Sequence, residues 1–286
     1  MSEKKIGLIL EGGSMRCMYT AGVLDTFMEE DIHIDGIIGV SAGALFGCNY
    51  FSKQKGRVLR YGTRFCKDPR NMSFLNFFLT GNLVGKKFAY YDVTLKYDLF
   101  DNETFIQNNT GYYATVTNVK TGKAEYIEMK DVIKDMEVLR ATAAIPFVSQ
   151  LVELNGNHYL DGGVGDSIPV VQAKKMGYDK LVVVLTRPQG YRKKPLSDAL
   201  QKLLKLKYGK YPEFIKAMLE RHIHYNMTID LIHKMEQKGE LFVIRPSQTI
   251  DVGTIERDRE KLKTAHRLGV NDCRKQLQKL KDYLQS

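Results

Sequence analysis

The chain has 286 residues, of which 43% are hydrophobic and 27% are charged, a composition typical of a soluble globular protein. This length suffices for one large α/β domain, with or without an appendage, and no stretch approaches the roughly 20 apolar residues of a membrane-spanning helix. The formal net charge of +10 favours anionic partners such as acidic lipids, phosphorylated substrates or nucleic acid, and it equally fits solubility alone.

The first fifty residues predict two consecutive strand–turn–helix units. Residues 5–10 (KIGLIL) are typical of a buried strand, and a helix is expected over residues 15–30 after a Gly-Gly-Ser turn. A second strand is expected over residues 34–40, and small and apolar residues continue from it as a buried helix. This repetition predicts a parallel sheet covered by helices.

The middle of the chain predicts two hairpins. Residues 51–110 indicate no definite topology, whereas residues 112–129 predict a β-hairpin. A helix from about Asp131 should end before Pro146. A second hairpin, turning at Asn-Gly-Asn, places Asp161 at the end of its second strand.

The last hundred residues predict two more strands and several helices. Residues 181–185 and 241–244 are apolar runs typical of strands. A basic, helical stretch lies between them, and a charged helix is expected to close the chain near Leu284.

The strongest chemical signal is Gly39-Val40-Ser41-Ala42-Gly43, a G-x-S-x-G pattern between a predicted strand and a predicted helix. A serine on such a sharp turn is exposed, and crowding there favours glycine on either side. The helix N-terminus that follows stabilises negative charge developing on a substrate. The alternative is an ordinary glycine-rich turn with a capping serine.

A second signal is the loop Glu11-Gly12-Gly13-Ser14-Met15-Arg16 after the first strand. Its small residues leave backbone N–H groups free, and acyl transfer needs such donors for the oxyanion. We therefore predict an oxyanion hole from Gly12, Gly13, Ser14, Met15 and the N–H of Ala42. The alternative, dinucleotide binding, requires G-x-G-x-x-G, but Ser14 and Cys17 occupy two of the three glycine positions.

The third signal is Asp161-Gly162-Gly163 at a strand end. A serine hydroxyl needs a base, and a partly desolvated carboxylate held beside it can accept its proton. Read alone, the motif also fits a common Asp-Gly-Gly turn. His158 lies three residues before Asp161, on the opposite face of the strand, and His33 precedes the elbow strand, so neither is expected to complete a triad.

These three motifs, in this order, resemble those of the patatin-like phospholipase family, and two further stretches, residues 140–146 and 166–169, resemble its bacterial branch. The resemblance covers about residues 6–188. It implies a three-layer α/β/α sandwich with a mainly parallel central sheet, a Ser41–Asp161 dyad without histidine, and lipid or other acyl-ester substrates. The basic position Arg16 would orient the loop or meet substrate charge.

The loop departs from the family pattern at two positions. Ser14 stands at the usual third glycine and still offers a backbone N–H, whereas Cys17 replaces a glycine after the basic residue. Cys17 is expected either to narrow the acyl pocket or to change the shape of the loop. The altered loop leaves open a catalytically weak lipid-binding or regulatory protein. An acyltransferase that uses the same dyad is a second alternative, because an alcohol instead of water could intercept the acyl-enzyme.

The remaining expectations concern organisation and partners. We expect a catalytic domain over residues 1–190 and a basic, mostly helical C-terminal appendage over residues 191–286 that packs on the core. No metal or organic cofactor is expected, because the four scattered cysteines form no CxxC pair and His222 and His224 would diverge on a helix. These cysteines suggest a cytoplasmic location.

Basic residues are concentrated between Arg187 and Lys216, where nine lysines and arginines face two acids. A short apolar face behind a Ser197 N-cap makes part of this segment an amphipathic helix. It is expected either to contact an anionic membrane surface peripherally or to pack on the core with its lysines in water. No motif supports nucleic-acid binding, and the sequence does not indicate an oligomeric state.

Overall fold

The computed structural model describes residues 4–108 and 110–286. Its centre is one sheet of eight strands. In chain order the strands are β1 (Ile6–Leu10), β2 (Gly36–Val40), β3 (Gly111–Asn118), β4 (Ala124–Glu128), β5 (Val152–Leu154), β6 (Asn157–Asp161), β7 (Lys180–Val184) and β8 (Phe242–Ile244). Across the sheet the order is β5-β6-β3-β2-β1-β7-β8, and β4 pairs with β3.

The sheet is mainly parallel. β3, β2, β1, β7 and β8 run in the same direction, whereas β4 and β6 pair antiparallel with β3, and β5 pairs antiparallel with β6. The carboxyl ends of β1 and β2 therefore lie side by side, which brings the two predicted glycine-rich turns to one edge of the sheet.

Helices surround this sheet. They are α1 (Met18–Glu29), α2 (Ala42–Phe51), α3 (Arg57–Phe65), α4 (Phe74–Thr80), α5 (Asn102–Gln107), α6 (Met136–Thr142), α7 (Val170–Lys175), α8 (Asp198–Tyr208), α9 (Pro212–Gln237), α10 (Arg259–Lys275) and α11 (Leu277–Gln285). A short 3-10 helix (Ser14–Cys17) precedes α1, and a π-helical segment (Lys86–Tyr97) precedes α5.

The strands bury both faces, and this produces three layers. Leu8 and Leu10 of β1 belong to a core shared with α1, α2 and α10, whereas Ile9 between them belongs to a second core shared with α7 and α9. Successive strand side chains point to opposite faces, so the two cores lie on opposite sides of the sheet. The predicted three-layer α/β/α sandwich with a mainly parallel sheet is confirmed.

The C-terminal helices pack closely on this sandwich. Helix α10 crosses α1 at glycines: a Cβ added at Gly22 would lie 2.1 Å from the carbonyl oxygen of His266. The same His266 makes a buried 2.7 Å contact through Nε2 with Asp25 of α1. Strand β8 extends the central sheet beside β7. Residues 191–286 thus contribute to the same sheet and core, while the division at residue 190 stays a prediction.

Several predicted elements are found with shifted boundaries. Both hairpins form, and the turn of the second has positive φ at Asn155 (50°) and Gly156 (75°), the conformation expected of Asn-Gly. The helix expected from about Asp131 begins only at Met136. The side chain of Asp135 accepts hydrogen bonds from the N–H groups of Lys130 and Asp131 and holds the preceding residues in a turn.

Two predictions for the C-terminal region need correction. The single closing helix is two helices, α10 and α11, separated at Gln276. Ser197 does occupy the N-cap position of α8, but its side chain makes no capping hydrogen bond.

Candidate active site

Ser41 sits on a strained elbow between β2 and α2. Its φ of 53° and ψ of −128° are unfavourable for a residue with a side chain. The flanking glycines make this turn sterically possible, because a Cβ at Gly39 would lie 2.5 Å from the Cα of Ala44, and one at Gly43 would lie 2.6 Å from the carbonyl oxygen of Leu10. The backbone N–H of Ser41 donates to Oγ1 of Thr142 at 2.9 Å, which anchors the elbow.

Asp161 ends β6 and meets Ser41 directly. The Ser41 hydroxyl donates a 2.6 Å hydrogen bond to Oδ2 of Asp161. The other carboxylate oxygen, Oδ1, accepts the N–H of Gly163 at 2.8 Å. Gly162 allows the chain to turn here, because a Cβ would lie 2.0 Å from the carbonyl oxygen of Thr115.

The carboxyl group of Asp161 is buried, and this burial raises its pKa. The hydrogen bond from Ser41, the positive charge of Arg221 and the N–H of Gly163 oppose part of that effect. A carboxylate with a raised pKa is a stronger base than an exposed aspartate. The pair is therefore equipped for proton transfer from the serine hydroxyl.

The glycine-rich loop lies against the elbow. A Cβ on Gly12 would lie 2.9 Å from the Cβ of Ser41, so only glycine allows this approach. Ser14 adopts a positive φ of 51°, and its hydroxyl donates to the carbonyl oxygen of Thr254 at 2.9 Å. Among the described residues, no hydrogen bond uses the backbone N–H of Gly12, Ser14 or Ala42, whereas the N–H of Gly13 faces the sulfur of Cys17. The first three donors are free to meet a ligand.

The next three residues of the loop take different directions. Met15 lines an apolar cavity, and Arg16 lines a polar one. Cys17 is fully buried, donates to the carbonyl oxygen of Glu11 at 3.5 Å, and lines neither cavity. It therefore does not narrow either cavity. Burial raises the pKa of its thiol to about 12, which makes it a packing residue.

The apolar cavity has a volume of about 150 Å³ and reaches Ser41. Apolar side chains from α1, α2, the π-helical segment and α6 contribute to its wall, among them Met18, Leu45, Phe46, Val93 and Leu139. A flexible hydrocarbon chain would bury apolar surface there, at about 0.8 kcal/mol for each methylene group.

The polar cavity, of about 190 Å³, is lined by both Ser41 and Asp161. We call it the cationic cavity, because four basic side chains line it: Arg16, Arg187, Lys193 and Arg221. Arg187 and Lys193 come from the loop between β7 and α8, and Arg221 comes from α9.

Glu11 connects the segments that form this cavity. Its carboxylate is buried and accepts hydrogen bonds from the backbone N–H and the hydroxyl of Thr186, after β7, and a 2.8 Å hydrogen bond from the hydroxyl of Tyr225 on α9. Arg221 lies one helical turn before Tyr225 and donates to the carbonyl oxygen of Gly163. Helix α9 thus contacts both the glycine-rich loop and the Asp161 turn.

The predicted site residues lie together around Ser41, and the histidines do not. His33 and His158 are exposed, and His33 pairs with Asp35 at the far end of the sheet. Sequence reasoning missed Lys193, Arg221, Tyr225 and the buried role of Glu11. It had read Arg187 and Lys193 as part of a basic surface segment, and the spacing of basic residues contains no signal that separates cavity lysines from surface lysines.

Residues 4–108 and 110–286 contain no cluster of three or more histidine, cysteine, aspartate or glutamate side chains able to hold a metal ion. None of their helices is both long enough and apolar enough to cross a bilayer.

The fold and the elbow serine indicate the class of the protein. A serine on a strained strand-to-helix turn, hydrogen-bonded to a buried carboxylate, has the arrangement expected of a nucleophile and its base in a hydrolase. The sequence matches the family model described as Patatin-like phospholipase over residues 8–174. The chain belongs to this family. Residues 211–285 match a second model, a domain of unknown function (DUF6363).

Curated relatives share the family region. The uncharacterized protein YjjU of Escherichia coli (strain K12) is 34% identical over 195 residues, which is 64% of this chain and 52% of YjjU. Lysophospholipase NTE1 of Eremothecium gossypii is 28% identical over 195 residues, 64% of this chain and 12% of NTE1. The chain thus spans about half the length of the first relative and a small part of the second.

A solved structure also resembles the fold. VipD from Legionella pneumophila superposes with a TM-score of 0.48 at 10% sequence identity, covering 97% of this chain and 67% of VipD. This likeness is too distant for a functional comparison.

Proposed function

We propose that the protein is a serine hydrolase that cleaves acyl esters of lipids, in the manner of a phospholipase A or lysophospholipase. Ser41 is the nucleophile and Asp161 the general base. The observation that carries this proposal is the 2.6 Å hydrogen bond from the Ser41 hydroxyl to Oδ2 of Asp161, at the junction of an apolar and a cationic cavity. Family membership and the lysophospholipase relatives support the same class of reaction.

The reaction begins when Asp161 accepts the Ser41 proton and Ser41 Oγ attacks the ester carbonyl carbon. The carbonyl π electrons move to oxygen, and the oxyanion accepts hydrogen bonds from free N–H groups of the glycine-rich loop and Ala42. Collapse of this intermediate breaks the ester bond, and the leaving alkoxide takes the proton from Asp161. Water then attacks the acyl-enzyme, losing a proton to Asp161, and Ser41 regains that proton as the fatty acid leaves.

We place the two halves of the substrate in the two cavities. The acyl chain lies in the apolar cavity, which Met15, Leu45 and Phe46 line together with Ser41. The alcohol half faces the cationic cavity, on the Asp161 side. This orientation places the leaving oxygen near the group that must protonate it.

We further propose that the protein contacts an anionic membrane surface peripherally. Helix α4 exposes Phe74, Leu75, Phe78 and Leu79, with Phe78 82% exposed. Leu206 of α8 is 83% exposed and lies among lysines of the basic segment. Both helices contact the segment over residues 145–150: Gln150 donates to the carbonyl oxygen of Thr80, and Lys207 donates to that of Phe147.

This segment leads to the site, since Ile145 lines both cavities. Exposed aromatic and aliphatic side chains next to lysines fit the boundary between acyl chains and anionic headgroups. A cytoplasmic location and a catalytic unit ending near residue 190 remain part of the proposal, and the four buried, unpaired cysteines fit a reducing compartment.

The test is hydrolysis of a p-nitrophenyl ester, with fluorophosphonate labelling of the same preparations. Ser41→Ala should abolish labelling and lower kcat by about 10³-fold or more, and Asp161→Asn should lower kcat strongly while the fold is retained. Asp166→Asn is the matched control: Asp166 is also desolvated, and burial raises its pKa, but it bonds Tyr126 and lines neither cavity.

Three outcomes separate the alternatives. Activity lost in Ser41→Ala and Asp161→Asn but kept in Asp166→Asn supports the dyad. Ester products formed with added acceptor alcohols would identify an acyltransferase. A folded wild-type protein with neither activity nor labelling would contradict the proposal and favour a lipid-binding role.

A further inference from the structure

The cationic cavity gathers four basic side chains that have no acidic partner. Ion pairs in the described part of the chain involve many surface lysines and also half-buried arginines, such as Arg140 with Glu137. Within residues 4–108 and 110–286, no ion pair involves Arg16, Arg187, Lys193 or Arg221. Cations that are partly removed from water normally acquire such a partner.

None of the contacts that these four side chains make is an ion pair. Arg187 stacks on the ring of Tyr191 at 4.4 Å, and Lys193 Nζ lies 4.5 Å from the ring centre of Tyr225. Arg221 donates to a backbone carbonyl group. Nε of Arg16 is buried and has no hydrogen-bond partner.

The side chains also raise each other's electrostatic energy. Burial and the neighbouring Arg221 lower the pKa of Lys193 to about 7, with Arg16 and Arg187 adding to the effect and Glu11 opposing it. Burial and Arg187 likewise lower the pKa of Arg16. An anion that enters the cavity therefore lowers this electrostatic energy.

Formal charge indicates which anion fits. When Lys193 is protonated, four cations face the carboxylates of Glu11 and Asp161, so two positive charges are unmatched in the cavity. A phosphate monoester carries nearly two negative charges at neutral pH and three acceptor oxygens. A choline phosphodiester carries one negative charge and adds a cation that these side chains would repel.

We infer that the cationic cavity binds a phosphate monoester on the alcohol half of the substrate, so that the preferred substrate is a monoacyl ester of a phosphorylated alcohol. This inference rests on the proposed function. Three of the four cations lie outside residues 8–174, the region that matches the family model. The C-terminal region would therefore set the headgroup specificity of the catalytic serine.

The kinetic test compares three substrates with one acyl chain: 1-oleoylglycerol 3-phosphate, 1-oleoylglycerophosphocholine and 1-oleoylglycerol. The phosphate monoester should have the highest kcat/KM. Arg187→Gln and Lys193→Gln should each lower that value by ~10-fold or more, as expected for the loss of a charge-assisted hydrogen bond. The same variants should lower kcat/KM for 1-oleoylglycerol by a clearly smaller factor, since that substrate has no phosphate group. Lys194→Gln, which removes an exposed neighbouring charge, should leave all three unchanged. Equal losses on all three substrates, or no preference for the phosphate monoester, would overturn the inference.

A binding test separates this inference from the proposed function. Calorimetry with Ser41→Ala measures glycerol 3-phosphate and inorganic phosphate in two buffers of different ionisation enthalpy at pH 8. Because Lys193 is largely uncharged at that pH, binding of the dianion should take up a proton, and Lys193→Gln should abolish this uptake.

Glycerol 3-phosphate binding with proton uptake supports a phosphate-monoester site in the cationic cavity even if no ester is hydrolysed. In that case the proposed function fails, and the substrate assignment fails with it. Binding of inorganic phosphate alone would indicate a free-phosphate site and overturn the inference. Wild-type hydrolysis of p-nitrophenyl esters with no binding of either phosphate would overturn the inference and leave the proposed function standing.

Discussion

Tyr225 donates a 2.8 Å hydrogen bond to Oε1 of Glu11 and so joins α9, in the C-terminal region, to the end of β1. The two residues lie 214 positions apart. Glu11 is the first residue of the glycine-rich loop, and the contact is buried. The position of that loop therefore depends on a helix that lies outside the family region.

Tyr225→Phe should destabilise the fold by ~1.5–3 kcal/mol, because a buried carboxylate loses a hydrogen bond. Urea unfolding measures this loss. Tyr191→Phe is the control, because it also removes a phenolic hydroxyl group. Tyr191 packs edge-on against Tyr225 but is only half-buried, so water can replace any hydrogen bond that its hydroxyl group loses. Equal stability of Tyr225→Phe and the wild type would show that the hydroxyl does not hold α9 to Glu11.

Ser14 offers a second test of the loop. Ser14→Ala loses the hydrogen bond to Thr254 and keeps the positive φ, so it should cost ~0.5–1 kcal/mol in thermal or urea unfolding. Ser14→Gly loses the same bond but relieves the strained φ, and its stability should stay within about 0.5 kcal/mol of the wild type.

Both Ser14 variants keep the backbone N–H that is proposed to bind the oxyanion. Their kcat with a p-nitrophenyl ester should therefore stay within a few-fold of the wild-type value. A 100-fold loss in Ser14→Ala would show instead that the hydroxyl group itself acts on the substrate.

The raised pKa of Asp161 predicts an acidic limb in the pH profile. The base works only when ionised, so kcat/KM for an uncharged ester should fall as pH decreases, with a midpoint above the value near 4 of an ordinary aspartate. An uncharged ester has no phosphate group, so its binding does not require a charged Lys193. Intrinsic fluorescence at each pH checks that the protein stays folded. A midpoint at or below about 4 would contradict the role of a buried base.

The exposed face of α4 predicts membrane binding. The double variant Phe78→Ser/Leu79→Ser should lower binding to phosphatidylglycerol vesicles by ~100-fold, since each side chain contributes ~1.5–3 kcal/mol when transferred out of water. Sedimentation with the vesicles measures the bound fraction. Ile106→Ser changes an exposed apolar residue of α5, just before the amino end of β3, and should have little effect.

Lipid charge is the second variable in that experiment. The lysines of α8 should make binding to anionic vesicles stronger than binding to phosphatidylcholine vesicles, and added salt should reduce the difference. Equal binding to both lipids would contradict the proposal that lysine charge contributes to the membrane contact.

The sequence alone determined the local elements of the site. Ser41 and its flanking glycines follow from a strand-to-helix turn whose steric demands are local, and Asp161 follows from an Asn-Gly hairpin of fixed geometry. The order of strands and helices also predicted the layered, mainly parallel fold. These signals lie within short segments, where neighbouring residues decide the backbone.

Tertiary structure decided what surrounds the dyad. Arg187, Lys193, Arg221 and Tyr225 reach the cavity because β7 lies beside β1 and α9 crosses the sheet near its carboxyl edge, and no local pattern specifies either placement. The sequence marks the segment from Arg187 to Lys216 only as basic. In the structure, Arg187 and Lys193 line the cavity beside Ser41, whereas the lysines of α8 are exposed to solvent. The sequence of the segment does not specify which of its side chains are buried, because burial depends on the distant segments that pack around them.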